Sequence, residues 1–304
     1  MNLVDPTAHT DLRSNISRAF SPQRVLDLEP EIRAIARSLI AELRSNGSGD
    51  LIRQFTRPLT TRVMGTLLGF SDEQVTLCQS LTDAAMYEDP DVTAFVPLIQ
   101  ELVSDHRASP TDDLTSALLG LGDDGGEALS ESAILAFCFG AILGNNCTTM
   151  NSLSNGIWLA ADHPEQWREL AEDPSLLPEA FEEMMRCEPP THSSQRVTAE
   201  DVELYGETIP AGTLILLLWG AASLDERAFD APERFDIHRR GDQHLALGWG
   251  THFCIGAALA RLEARVAFEE LVTAFPRVSV LGAPERLPSP WQWGFTSLDV
   301  AFAG

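Results

Sequence analysis

Residues 244–256 read His-Leu-Ala-Leu-Gly-Trp-Gly-Thr-His-Phe-Cys-Ile-Gly, and they constrain this chain more than any other stretch. A loop punctuated by glycines delivers one cysteine, Cys254, to the start of a helix expected through Ala257, Leu259, Leu262, Val266 and Leu271 toward Pro276. At a helix start the unpaired amides and the positive end of the dipole both favour a thiolate. Gly248 and Gly250 permit sharp turns there, and Gly256 leaves room for a flat ligand close to the backbone. A buried, inert cysteine is the other reading of any single thiol, so the rest of the chain must decide.

A chain of 304 residues with 44% hydrophobic content can bury a sizeable core as one large domain or two small ones. Its net charge is 21 − 45 = −24, and every basic residue is arginine. That balance disfavours nucleic acid or an anionic membrane surface as partner. Residues 231–265 are the exception, with Arg234, Arg239, Arg240, Arg261 and Arg265 nearly balancing Glu233, Asp236, Asp242 and Glu263 around Cys254. The longest apolar run, 135–143, falls short of the roughly 18 residues a membrane span needs. The first residues lack the basic and apolar regions of a signal peptide. Five scattered cysteines argue against a disulfide framework. The expectation is a soluble, cytoplasmic protein.

Most of the chain reads as helix. Ser21 followed by Pro22 is a helix start. Ile32, Ile35, Ala36, Leu39, Ile40 and Leu43 recur with helical spacing up to the glycines at 47 and 49. Helices follow over 51–68, from a capping box at Ser71 and Gln74, and over 92–103, with a polar loop at 122–126. Residues 130–163 contain no proline and read as one long helix, yet Gly140, Gly144, Asn145 and Asn146 interrupt its middle. Small residues there admit something bulky. Another helix, 178–188, carries Glu183 and Arg186 on one side. Segments 202–205 and 213–219 read as short strands flanking a turn. His9 and Arg13 form an i, i+4 pair near the start, and Trp291 and Trp293 read as core or pocket wall.

Taken together, these residues resemble the cytochrome P450 family over nearly the whole chain. The cysteine loop is similar to its haem-binding pattern Phe-x-x-Gly-x-x-x-Cys-x-Gly, matched at Leu247, Gly248, Cys254 and Gly256, with leucine where the family usually has phenylalanine. The resemblance makes the Cys254 thiolate the axial iron ligand. Residues 5–13 look like the family's helix C, which implies that His9 and Arg13 hold a haem propionate. Arg196 and His244 are implied as further propionate contacts, and His252 as a cofactor contact beside the cysteine. Residues 144–148 fall on the helix I motif Ala/Gly-Gly-x-Asp/Glu-Thr, so Thr148, with Gly144 and Asn145, is expected to line the oxygen side. Cys147 stands where the motif has its acid, and Asn145 where it has its second glycine. Glu183 and Arg186 match the family's structural ion pair, with Arg234 as the third member of that cluster.

The resemblance implies a mainly α fold with small β-sheets, a single haem-binding domain over 1–304, and haem b as cofactor. The usual N-terminal strands and the B–C region are missing from it, and the connection near 88–91 looks abbreviated. Unpaired strand edges then invite a second copy or another partner to cover this face. The implied activity is monooxygenation of a small apolar substrate, using dioxygen and two electrons from NAD(P)H through ferredoxin reductase and ferredoxin. Because the helix I acid is absent, a haem-thiolate enzyme driven by peroxide, reducing nitric oxide or catalysing a rearrangement stays open. So does a haem-binding accessory protein without catalysis.

Overall fold

The computed structural model describes residues 6–87, 91–122, 128–240 and 244–303; the connection expected at 88–90 and most of the loop expected at 122–126 lie outside them. Helix Ala257–Ala274 is the central post. It buries Leu259, Leu262, Val266, Ala267, Phe268 and Leu271. Against it lies Glu29–Asn46, whose apolar stripe Ile32, Ile35, Ala36, Leu39, Ile40 and Leu43 is buried as its spacing predicts. Charge closes the rim of this contact. Arg33 bonds Glu29, Glu269 and Glu270 at 2.9, 2.6 and 2.6 Å, and Arg265 bonds Glu29 and Glu269 at 2.5 and 2.9 Å. Gly47 ends Glu29–Asn46 in the left-handed region, φ 72°, where glycine carries no Cβ penalty.

The long helix runs from Glu131 to Ala161, but not as a uniform α-helix. Glu131–Leu143 and Met150–Ala161 are joined by a π turn, Gly144–Thr149. A second π turn, Ile52–Thr56, opens helix Arg57–Leu68, which packs on the first. Thr56 Oγ1 and Ser154 Oγ share a hydrogen bond of 3.0 Å between these two helices. By length and composition Glu131–Ala161 could cross a membrane, which qualifies the sequence expectation. Half of its most apolar stretch is buried inside the fold.

Four small antiparallel sheets complete the structure. Asp299–Ala303 lies between Ser48–Asp50 and Arg277–Val280, tying the two ends of the chain together. Ser193–Val197 pairs with Leu214–Leu218, Val202–Leu204 with Glu207–Ile209, and Glu285–Arg286 with Phe295–Ser297. The fold is mainly α with small sheets, as the resemblance implies.

The Glu183–Arg186 pair is fully buried at the end of helix Leu177–Cys187, with two bonds of 2.7 and 2.9 Å. Arg186 also donates to the carbonyls of Ser223, Pro232 and Arg234. The third charged member is Arg239, whose Nε reaches Glu183 at 3.0 Å. Arg234 contributes only its carbonyl oxygen. Its side chain is exposed and pairs loosely with Asp236, which corrects the sequence assignment. A guanidinium already buried against Glu183 leaves no room for a second one from a neighbouring turn.

Candidate functional site

Cys254 sits at the mouth of the central helix as anticipated. Its backbone N–H donates to Leu247 O at 2.9 Å, closing the loop. Counted back from Cys254, the first glycine of the pattern falls on Gly250 and not on Gly248. The backbone needs both, since their φ values are 74° and 72°. Burial pushes the Cys254 thiol above its usual value, while the Gly256 amide, Arg13 and Arg261 pull it back. Burial wins. The loop alone therefore does not make a thiolate, and a positive partner on the sulfur is needed to complete it. A side chain at Gly256 would meet nothing within 4 Å except that sulfur, at 3.9 Å, so the approach is open.

Next to the loop the structure gathers four of the residues singled out in the sequence. The His9 and His252 rings lie 4.3 Å apart, and Arg13 Nη2 donates to Phe253 O at 2.7 Å. Burial, then the closeness of His9, Arg196 and Arg13, keeps His252 below the ordinary histidine range. His9 is 1% exposed, and its Nε2 has no hydrogen-bond partner. A buried ring nitrogen left bare is costly unless a ligand meets it. Two guanidinium groups and two imidazoles in one place suit an anion.

His244 is elsewhere. Its Nε2 bonds Glu182 at 3.0 Å, and its Nδ1 accepts the Ala246 N–H at 3.1 Å. Both ring nitrogens are engaged, so the expected propionate contact is corrected. Glu182 in turn takes two bonds of 2.7 Å from Arg261. Burial raises the Glu182 carboxyl, but its partners Arg261 and His244 outweigh this and hold it at about 2.

On the long helix, Gly140 and Gly144 are exposed, and a Cβ on either would meet nothing within 4 Å. Thr148, one more helical turn on, is half-buried and donates from Oγ1 to Gly144 O at 2.5 Å. These three residues form a bare strip along an otherwise packed helix. Asn145 does not share it, contrary to the sequence expectation. Its amide is buried, donating to Thr60 O at 3.0 Å and accepting from Thr149 Oγ1 at 3.1 Å. A residue one step along a helix points about 100° away, which is the reason. Cys147 is also buried, its thiol pushed up to about 11 by that burial despite the Gln292 side chain beside it.

Sequence reasoning missed Glu263. It is completely buried, and neither carboxyl oxygen completes a hydrogen bond. Burial lifts its proton affinity well above the carboxylate range, and the nearby Asn145 side chain opposes this only in part. Its spacing from Leu259 and Ala267, four residues either way, places it on the buried stripe. That was the available signal.

A family model described as Cytochrome P450 matches residues 85–297. The chain belongs to the cytochrome P450 family. It is 37% identical to cytochrome P450 107B1 of Saccharopolyspora erythraea over 97% of this chain and 73% of that protein. A vitamin D(3) 25-hydroxylase of Pseudonocardia autotrophica is 36% identical, over 92% of this chain and 71% of that protein. A steroid C26-monooxygenase of Mycobacterium tuberculosis is 34% identical, over 98% and 84%. Among solved structures, cytochrome P450 CYP109Q5 from Chondromyces apiculatus superposes with a TM-score of 0.93 at 34% identity, covering 99% of this chain and 78% of that one.

Cytochromes P450 are oxidoreductases that carry a haem iron and draw electrons through redox partners. The residues present fit that group. Cys254 offers one sulfur in an open approach, and His9, Arg13, Arg196 and His252 offer an anion cradle with an unpaired buried nitrogen in it. Among the described residues no group of three or more His, Cys, Asp and Glu side chains is arranged to hold a bare metal ion, so Cys254 stands as a single protein ligand.

Proposed function

We propose that this cytochrome P450 is a haem-thiolate monooxygenase acting on a small apolar substrate, with dioxygen and two electrons delivered from NAD(P)H through a ferredoxin reductase and a ferredoxin. The observation that carries this reading is Cys254, held at a helix start beside the convergence of His9, Arg13, Arg196 and His252. Cys254 would hold the iron of haem b, and the four cationic or imidazole side chains its propionates. When bound, the haem supplies oxygen activation.

The chain's own residues account for the rest. Gly140 and Gly144 keep side chains out of the space over the helix. The Thr148 hydroxyl, by giving its proton to Gly144 O, turns its lone pairs outward to accept a proton from a water or a bound oxygen species. The names of the hydroxylase and monooxygenase relatives, on vitamin D3 and steroid, support a largely hydrocarbon substrate. Arg240 is exposed and Arg261 partly so, and these arginines in an acidic protein suit docking of an acidic ferredoxin. A single domain working in the cytoplasm completes the proposal.

Cys147 supports a second reading. Position 147 carries a buried thiol with a raised pKa in place of a carboxylate, so no acid stands next to Thr148 to renew its proton. Peroxide-driven or other chemistry without ordinary dioxygen activation then follows. Two measurements test both readings. The ferrous carbon monoxide spectrum should show the red-shifted band of a thiolate adduct, absent in Cys254→Ser. Turnover supported by ferredoxin and NAD(P)H favours the first reading, and turnover with peroxide alone the second. A normal thiolate band in Cys254→Ser would overturn both.

A further inference from the structure

The two-stranded sheet Ser193–Val197 and Leu214–Leu218 has an apolar face that the described fold leaves in solvent. Its register sets Val197 opposite Leu214, Gln195 opposite Leu216 and Ser193 opposite Leu218. Val197, Leu214, Leu216 and Leu218 therefore share one face, and they are 63%, 57%, 50% and 56% exposed. Arg196, Ile215 and Leu217 take the other face, and Arg196 lies on the side of His252 and the cysteine loop. The leucine face is the back of the sheet, away from the site.

This exposure conflicts with what the sequence encodes. Leu214-Ile215-Leu216-Leu217-Leu218 is a continuous apolar run, the pattern of a strand covered on both faces. A two-stranded sheet with both outer edges unpaired is marginal by itself and a ready template for further pairing. The adjoining hairpin repeats the theme, with Val202, Leu204 and Tyr205 at 38%, 50% and 97% exposure. Around these apolar residues the exposed charges are acidic: Glu200, Asp201, Glu203 and Glu207.

We propose that this face is a docking surface for a separate polypeptide presenting an extended apolar segment flanked by lysine or arginine. Charge selects the occupant. A second copy of this chain would bring the same four carboxylates and the same net charge of −24 against themselves. A basic-flanked strand meets the leucines with its apolar side chains and the carboxylates with its ends, the pattern of strand addition. The surface is independent of the cofactor, so its test stands apart from that of the haem reading.

The test uses the full chain and a labelled synthetic peptide of alternating valine and leucine with arginines at both ends, read by fluorescence anisotropy. A second peptide keeps the core but ends in glutamates. The arginine-ended peptide should bind the wild type, at least tenfold more weakly to Leu214→Ser/Leu216→Ser, and more weakly as salt rises. Both replaced residues are more than half or half exposed, and an unchanged thermal melt confirms that the variant folds. Equal binding of the glutamate-ended peptide would mean indiscriminate apolar adhesion and overturn the proposal. Failure of both peptides would overturn it too. So would a dimer in sedimentation that the double replacement dissociates, because the occupant would then be a second copy.

Discussion

Glu263 gives the most exacting test of the structure. Its side chain is 0% exposed and hydrogen-bonds to nothing, so the folded protein holds it protonated above the ordinary carboxylate range. In the unfolded chain it ionises near pH ~4.3. The sign follows from linkage. A carboxyl whose proton affinity rises on folding leaves stability intact at low pH and erodes it as pH rises, by about 1.4 kcal/mol for each pH unit over which the folded state alone keeps the proton. Glu263→Gln has nearly the same shape and no proton to keep. Its unpaired amide can cost about 1–3 kcal/mol, but that cost does not vary with pH. The slope is therefore the quantity to read. Urea unfolding at pH 5, 6 and 7, at constant ionic strength, should show the variant gaining on the wild type by about 1.4 kcal/mol per unit. Glu263→Met should show the same slope. Parallel pH profiles for wild type and both variants would refute a buried neutral acid here and, with it, the packing of the central helix against the π turn.

Three further expectations follow from the geometry. Glu183→Leu strands the buried Arg186 guanidinium and should cost about 3–5 kcal/mol, whereas Glu183→Leu/Arg186→Met should cost less than the two single changes summed; additive costs in urea melts would show the pair uncoupled. Gly69 has φ 80°, and a Cβ there would lie 2.4 Å from both Asp113 Oδ2 and His106 Nε2, so Gly69→Ala should destabilise by at least ~2 kcal/mol by calorimetry, and a neutral result would mean that corner is loosely packed. Burial notwithstanding, Arg261 and His244 hold Glu182 at about 2, so its contribution is present above the ordinary glutamate value and lost as pH falls from about 4 through about 2; the stability gap to Glu182→Gln, at most about 3 kcal/mol, should close over that interval and nowhere else.

The fold was legible where periodicity and local chemistry agree. The stripe from Ile32 to Leu43 and the capping box at Ser71 and Gln74 appear as read, because each depends on residues three or four apart. The strands Ser48–Asp50, Ser193–Val197, Arg277–Val280 and Asp299–Ala303 were not anticipated. The partners of the first and last lie some 250 residues apart in sequence, and nothing local announces them. Around the site, Cys254, His9, Arg13, Arg196 and His252 come together, since motif and order identify them. His244, Asn145 and Arg234 were placed by the same means and lie elsewhere. A motif fixes which residue occupies a position, but the side chain's direction is decided by competing partners: Glu182 for His244, Thr60 for Asn145, and Arg239 in the space that Arg234 would need.

The π turn at Gly144–Thr149 has one more consequence, for insertions and deletions. A π turn closes over five residues instead of four, so it adds about one residue, or ~100° of rotation, to the helix that follows. Upstream, Gly140 and Gly144 keep their open side. Downstream, the added rotation brings Ser154 to Thr56, and Asn155 to the carbonyls of Glu188 and Trp293. The turn is thus a phase adjuster between two halves of one rod that answer to different neighbours. Losing a single residue within 145–149 would swing every later side chain out of register while leaving the first half unmoved. Substitutions in this segment can be absorbed one at a time, but its length is fixed.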